Sequence, residues 1–335
     1  MLTAFYQVIQ WRYYAPLITA CFLLLNLAVG YIFVPDESTP ELQYRDMGAA
    51  IALPLISGFC VFFLPVLGRK AQASIRESAR LSGSSMRHAN AYIDRIGRVP
   101  LRAFRLAIYA GTTTAILYLG AAGLLYIDGY DALANLKRVP LLLQVVYFWI
   151  AVILVLVSLV RITKYLTRFA THDLRIELFH IEELMPLANA VLWNTVSISA
   201  ALSLTPIFWL GRGMPKLDIP LIMLVMGVTL YMLFFPIFKV RQMVIRRKQL
   251  ALERIRDAIK TASKSSDSTR RRLTDSVERL EEINNLVGVR EEINRTREWP
   301  ITVPVGIRVA LVVLVPPLSW VGASLVEWLV HRAVA

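Results

Sequence analysis

Long apolar segments alternate with polar stretches along the chain, and seven of them reach the roughly 20 residues that a membrane-crossing helix needs. Within these segments apolar and polar residues do not alternate at every second position, as they do in the strands of a membrane barrel. Backbone groups in lipid must then be satisfied within helices. The predicted fold is an all-α polytopic membrane protein with seven transmembrane helices, at residues 13–34, 47–67, 104–127, 140–160, 189–210, 219–238 and 303–330.

The distribution of basic residues predicts the orientation of these spans. Lys and Arg are concentrated in three polar stretches, 68–103, 161–187 and 239–302, whereas the intervening loops hold few. Loops rich in Lys and Arg stay in the cytoplasm, so the N-terminus is expected to be cytoplasmic and the C-terminus extracytoplasmic. The acidic stretch 36–46 then lies outside. The same pattern and the short loops predict a multi-pass protein of a plasma membrane, specifically a prokaryotic inner membrane.

Three regions follow from this layout. Residues 1–238 comprise spans one to six with the cytoplasmic loops 68–103 and 161–188. The first loop begins with a basic helix-like stretch at 69–80, and breaks at 81–85 and 97–100 bound a second helix at 86–96. The favoured interpretation of this segment is a solvated loop with one interfacial helix. The second loop is predicted to continue span four. Residues 239–298 form a cytoplasmic helical hairpin, and residues 299–335 carry span seven.

The hairpin is the most organised polar region. Residues 239–262 lack Pro and Gly, which predicts a direct helical continuation of span six. A polar turn at 263–268 precedes a second helix, and Gly288 is expected to separate that helix from a third at 289–298. In the second helix, five residues recur at the alternating four and three spacing of a coiled coil: Leu273, Val277, Leu280, Asn284 and Val287. The apolar ones are candidates for oligomerisation: Leu273, Val277, Leu280 and Val287.

The formal net charge of +13 raises the possibility of a nucleic-acid partner. The basic residues of the hairpin, however, are interleaved with Glu and Asp and lack aromatic residues for base stacking. A solvated helical face is therefore favoured, with membrane lipids rather than nucleic acid as partners. Cys21 and Cys60 both fall within predicted spans, so no disulfide framework is expected.

The chain lacks the sequence motifs of metalloproteases, serine hydrolases and P-loop enzymes, so we expect neither catalysis nor a cofactor. The nearest approach to a metal site is Asp173, Glu177 and His180, which share one face of a predicted helix. Carboxylate-bridged metal sites use the same Glu-x-x-His spacing but draw on a second copy, which is missing here. A polar helix with ordinary ion pairs is the favoured alternative.

Several uncharged polar residues lie inside the predicted spans. Thr195, Ser199 and Ser203 form a stripe at four-residue steps, which either lines a wet path or, as favoured, supports helix packing through hydroxyl hydrogen bonds. Asn26 and Gln144 are single polar groups that can bridge helices. No acidic or basic residue lies near the middle of a span, which counts against a transporter of protons or charged substrates.

Span seven carries the candidates for a pore or gate. Pro316 and Pro317 remove backbone donors near its centre and are expected to kink the helix. Ser319 and Gly322 follow within about two turns, and Glu327 lies near the outer end. These residues predict either a hinged pore-lining helix or a kinked packing helix with an interfacial carboxylate.

The whole layout resembles the seven-transmembrane ion channels related to insect odorant and gustatory receptors, of which this chain would be a prokaryotic remote relative. The similarity is one of topology: helices that extend into the cytoplasm at 161–187 and 239–262, a hairpin before the last span, and span seven at 303–330. The resemblance implies a homo-oligomer, with a tetramer favoured. It also implies that the hairpin anchors the subunits and that span seven lines the pore.

The sequence therefore predicts a homo-oligomeric, channel-like membrane protein, without naming a ligand. One alternative is a scaffold or signalling protein that docks a cytosolic partner through the hairpin. A second alternative is a transporter of a neutral small molecule. A channel requires a central axis lined by one span of each subunit, whereas a transporter requires a cavity within each protomer.

Overall fold

The computed structural model describes residues 8–32, 40–121, 132–173, 185–209, 218–264 and 273–295, together with 310, 314–316, 318–322 and 325. The regular elements in these ranges are all helices. They are α1 (Val8–Val29), α2 (Pro40–Leu81), α3 (Met86–Gly97), α4 (Leu101–Ala121), α5 (Ala132–Arg168) with a π-helical turn (Phe169–Asp173), α6 (Met185–Ser203) with a 3₁₀ turn (Thr205–Trp209), α7 (Asp218–Lys264) and α8 (Leu273–Arg295).

Three helical stretches are long and apolar enough to cross a membrane: Tyr44–Leu81, Lys137–Asp173 and Met185–Trp209. Two shorter apolar stretches, Tyr13–Val29 and Asp218–Val228, belong to α1 and α7. The prediction of an all-helical protein with membrane-length apolar helices is thus confirmed at this level. The full set of seven spans, with its orientation, stays a prediction.

Helix α2 is the centre of the bundle, since α1, α3, α5 and α6 all pack against it, and α4 packs along α5. Glycine makes the closest of these contacts possible. At Gly111 on α4, an added Cβ would lie 2.7 Å from the Cα of Ile150 on α5. Small residues that let helix backbones approach are typical of membrane bundles. The position of α4 against α5 therefore depends on residue 111 being a glycine, which has no side chain.

One end of the bundle forms a compact helical unit, here called the basic layer. It consists of the C-terminal halves of α2 and α5, the π-helical turn, α3 and the middle of α7. Its core includes Ile75 from α2, Ile93 from α3, Leu159 and Phe169 from α5 and its extension, and Val244 from α7. Helix α3 turns its apolar side to this core and its charged residues outward, as an amphipathic helix does.

The basic layer corrects the interpretation of residues 68–103 as a solvated loop. Helix α2 continues to Leu81, and α3 folds back against it after a turn at Gly83, whose φ of 59° suits glycine. Between the arginines of this segment, α2 carries an apolar stripe at every fourth position, formed by Ala71, Ile75 and Ala79, all at most 1% exposed. That stripe supplies one wall of the core.

The hairpin agrees in part with the sequence prediction. Helix α7 runs without interruption from Asp218 to Lys264, which confirms that the apolar segment at 219–238 continues into the hairpin as one helix. Helix α8 packs against α7, and Lys248 Nζ donates to the carbonyl oxygen of Asn294 at 2.9 Å. The predicted break at Gly288 was wrong, because α8 continues through it to Arg295. A single glycine costs a helix only about 1 kcal/mol, which its neighbours can offset.

Candidate functional site

The structure describes three of the five predicted gating residues: Pro316, Ser319 and Gly322. Pro316 is buried, and Ser319 Oγ donates to the carbonyl oxygen of Pro316 at 2.7 Å, so this hydroxyl serves its own segment. Gly322 is exposed, and a Cβ added there would meet nothing within 4 Å. Pro317 and Glu327 lie outside the described residues.

Trp320, which sequence analysis did not single out, attaches this last helical segment to α6. Its indole Nε1 donates to Thr205 Oγ1 at 3.2 Å and approaches the carbonyl oxygen of Leu202 at 3.4 Å. An indole N–H inside a membrane protein needs such an acceptor. The contact fixes which side of the segment faces its own bundle.

The opposite side of the same segment carries an exposed apolar stripe, here called the outer stripe. It consists of residues at steps of four, three and four, each more than half exposed: Leu314, Leu318, Val321 and Leu325. On a helix these positions lie about 100–160° from Trp320, while Pro316 lies close to it. The chain's own described helices thus leave the outer stripe uncovered.

The polar stripe of α6 is occupied with hydrogen bonds inside its own helix. Thr195 Oγ1 donates to the carbonyl oxygen of Val191 at 3.1 Å, and Ser203 Oγ donates to that of Ser199 at 2.9 Å. Thr195 and Ser199 are each 4% exposed. The burial of Thr195 and Ser199 and these bonds favour a role of the stripe in helix packing.

Of the three candidate metal-binding residues, the structure describes only Asp173. Asp173 ends the π-helical turn, where Tyr92 Oη donates to its Oδ2 at 2.7 Å and His88 Nδ1 lies 3.5 Å from its Oδ1. The pKa of Tyr92 is raised overall, first by partial burial and then by the hydrogen bond to Asp173 and the negative charge of that carboxylate. The positive charges of Arg95 and Arg168 act in the opposite direction. Asp173 thereby ties α5 to α3. Glu177 and His180 lie outside the described residues, among which no three His, Cys, Asp or Glu side chains gather as a metal site.

The oligomerisation candidates all lie on α8. Leu273, Val277 and Leu280 occupy its first turns, and Val287 is 43% exposed near its middle. Between residues 281 and 295, Ile293 is buried, and most other side chains are exposed. One side of α8 therefore contacts α7 and the rest of its described surface is open.

A buried carboxylate at the other end of the bundle was also missed. Asp218, the first residue of α7, is 7% exposed. Its Oδ2 accepts from Trp209 Nε1 at 2.9 Å and its Oδ1 from Tyr118 Oη at 3.3 Å. The positive end of the helix dipole stabilises a carboxylate in this position. Asp218 thus joins α4, the 3₁₀ turn after α6, and α7.

A crevice opens where the basic layer meets the apolar bundle. Its walls come from α2, from α5, and from the end of α3 with the residues that follow it, and include Gly68, Arg69, Gln72, Gly97, Ser158 and Arg161. Arg161 Nη2 donates to the carbonyl oxygens of Arg95 at 2.7 Å, Ile96 at 3.3 Å and Arg98. Gln72 Nε2 donates to that of Ile93 at 3.0 Å. These side chains satisfy the carbonyl groups left open at the C-terminus of α3.

Comparison of the chain with protein-family models, with characterised proteins and with solved structures gave no match. The physical features of the described residues therefore carry the functional argument. Two of them concern surfaces that the monomer leaves incomplete. They are the outer stripe, which is apolar and uncovered, and the crevice, which is partly enclosed and has a mainly apolar lining with a few polar groups.

Proposed function

We propose that the chain is one subunit of a homo-oligomeric, channel-like membrane protein in which the last span lies nearest the symmetry axis. In this proposal seven helices cross the membrane, with the N-terminus in the cytoplasm and the C-terminus outside. The observation that carries it is the outer stripe, which faces away from the Trp320 contact with α6.

The composition of the outer stripe favours another helix as its neighbour. An apolar surface alone is equally suited to lipid, because acyl chains are as apolar as leucine. Steps of four, three and four, however, are the spacing with which helices interlock around a common axis. Gly322 adds a small residue beside Leu318 and Leu325, which permits close approach. A ring of such apolar residues can gate a pore by excluding water.

The hairpin supplies the second argument for an oligomer. Helix α7 continues from its apolar part into the hairpin, so movement of α8 is transmitted to the bundle through one continuous helix. Helix α8 packs against α7, but Val287 and Val289 on α8 stay 43% and 40% exposed. Pairing of α8 with a neighbouring subunit would cover them, as the predicted role of the hairpin as an anchor requires.

Disulfide crosslinking tests the position of the last span. The chain has two cysteines, Cys21 and Cys60, which are replaced by alanine to give a cysteine-free background. Leu318→Cys, on the outer stripe, is expected to form dimers between subunits when membranes are oxidised. The matched control is Leu117→Cys on α4, whose leucine is 67% exposed and lies on a different helix. This control is expected to stay monomeric on a denaturing gel.

Ion flux from liposomes completes the test. The purified protein is expected to be an oligomer that releases ions, and a bulky thiol reagent on Leu318→Cys is expected to reduce the flux while leaving Leu117→Cys unaffected. A monomer without flux in several lipid mixtures would contradict the channel. The docking scaffold would then be the better proposal, supported by the open surface of α8.

A further inference from the structure

The crevice lies at the level where the apolar parts of two central helices end. On α2, Arg69 is the first charged residue after Asp46, and on α5, Arg161 is the first after Arg138. Both arginines line the same space. If α2 and α5 cross the membrane as their length and composition permit, this space faces the headgroups of one leaflet.

The polar groups in the walls suit an anion. Arg69 and Arg161 contribute guanidinium groups, and the lining contains no Asp or Glu. The contacts of Arg161 with the end of α3 hold its charge in a fixed place, while Arg69 is exposed on the rim. Ser158 is 5% exposed, and its Oγ has no hydrogen-bond partner among the described residues, although its hydroxyl can donate. A buried hydroxyl of this kind is satisfied by a ligand oxygen.

The space has the size of one small polar group. Its volume is about 40 Å³, which corresponds to about three water molecules and so to one phosphate group. Gly68 lines the space, and a Cβ added there would meet nothing within 4 Å, so this position has room for a side chain. Leu64, Pro65 and Val99 form an apolar wall beside it, as the glycerol and acyl part of a lipid requires.

We propose that this crevice binds a phosphate group, presented by the headgroup of an anionic phospholipid. Basic pockets between membrane helices are suited to such headgroups, since the surface of the cytoplasmic leaflet is rich in anionic lipid and the guanidinium fork matches phosphate oxygens. Binding there joins α2, α5 and the α3–α4 connection through one ligand. The proposal concerns each protomer and is independent of oligomeric state.

The test measures the melting temperature of the full-length protein in detergent during titration with phosphatidylglycerol, with phosphatidylcholine in a parallel titration. Native mass spectrometry counts the bound lipids. Arg69→Gln removes one cation. Gly68→Leu adds an apolar side chain at the wall of the crevice, where a Cβ has open space, and is designed to occupy the place of the phosphate group. The matched controls are Arg76→Gln, an exposed arginine further along α2, and Gly288→Leu, a helical glycine with open space on α8.

Phosphatidylglycerol is expected to stabilise the wild type and both controls, and phosphatidylcholine to have little effect. The apparent affinity for phosphatidylglycerol should fall about fivefold in Arg69→Gln, as expected for loss of one cation near an anionic surface, and binding should be lost in Gly68→Leu. Ser158→Ala, which removes only the hydroxyl, should weaken binding in the same direction. Equal responses of all variants, or of both lipids, would overturn the proposal. An equal response to inorganic phosphate would overturn the lipid as the source of the phosphate group.

Discussion

The side chains of Asn26 and Gln144 form a reciprocal amide pair in the apolar part of the bundle. Asn26 Nδ2 donates to Gln144 Oε1 at 2.9 Å, and Gln144 Nε2 donates to Asn26 Oδ1 at 2.7 Å. A further bond of 2.7 Å from Asn26 Nδ2 reaches the carbonyl oxygen of Ala50. The two side chains are 0% and 1% exposed. One pair thus joins α1, α2 and α5, where water cannot compete.

Replacing both members of this pair is expected to cost less stability than the two single replacements added together. Asn26→Leu leaves the amide of Gln144 buried without its partner, at a cost of about 1–3 kcal/mol. Asn26→Leu with Gln144→Leu removes both polar groups, so its loss should be smaller than the sum of the single losses. The coupling is expected to be about 0.6 kcal/mol and at most about 1.7 kcal/mol, the average and the largest values measured for hydrogen bonds between membrane helices. Unfolding in mixed detergent measures all four proteins, and exact additivity would contradict the pair.

Gly111→Ala tests the close approach of α4 to α5. The added methyl group would lie 2.7 Å from backbone Cα of Ile150, which cannot rotate away. Overpacking of this kind costs about 1–3 kcal/mol. Gly288→Ala on α8 is the matched control, because open space surrounds it and alanine is the better helix former. We expect a lower melting temperature for Gly111→Ala and an unchanged or higher one for Gly288→Ala.

Local features of the fold could be read from the sequence where local physics decides them. The absence of Pro and Gly from 239 to 262 predicted the continuity of α7, and the breaks at 81–85 and 97–100 bounded α3 correctly. The single polar residues Asn26 and Gln144 were correctly expected to bridge helices. Each of these features depends on propensity, or on the need of one residue for a partner.

Contacts between distant elements could not be predicted in the same way. Trp320 bonds Thr205, 115 positions earlier, and Asp218 bonds Tyr118, 100 positions earlier. Periodicity indicates which side of a helix is apolar but not which helix covers it. The crevice was missed for this reason, since Arg69 and Arg161 meet only after α2 and α5 have packed. A helical layer built from the extensions of spans four to six and the hairpin was expected, but the part that the end of α2 and α3 take in it was missed, because charged residues flank the buried alanines of α2.

The raised pKa of Tyr92 predicts a loss of stability at alkaline pH. The unfolded chain releases this proton near pH 10, whereas partial burial and Asp173 hold it more tightly in the folded protein. The stabilisation that comes from the Tyr92 proton is therefore fully present below about pH 10. It is lost as the pH rises through the pKa of Tyr92 in the folded protein. Melting temperatures between about pH 9 and 11 should fall more steeply for wild type than for Tyr92→Phe. Asp173→Asn should lie between them, and identical slopes would contradict the linkage.

The seven-span topology makes a labelling prediction. In the cysteine-free background, Ser266→Cys lies in the predicted polar turn of the hairpin and Ala335→Cys at the last position of the sequence. With an odd number of spans between the N-terminus and Ala335, and the hairpin before the last, the two positions lie on opposite sides of the membrane. An impermeant maleimide added to intact cells should label Ala335→Cys only, and Ser266→Cys after lysis. Labelling of both from one side would contradict the seven spans.

Arg161→Lys tests whether geometry, rather than charge, holds α3 against α5. Nη2 of Arg161 reaches three carbonyl oxygens at the end of α3, which the planar guanidinium suits and a lysine ammonium on its flexible chain does not. Lysine keeps the positive charge, so any loss of stability reports the lost hydrogen bonds. Each hydrogen bond to a charged group is worth about 1.5–3 kcal/mol, and less where water competes. Faster hydrogen exchange is expected in the peptide covering residues 93–100, together with a lower melting temperature. Arg105→Lys on α4, an exposed arginine, is the control and should leave both unchanged. Equal exchange in the two variants would show that the charge alone suffices.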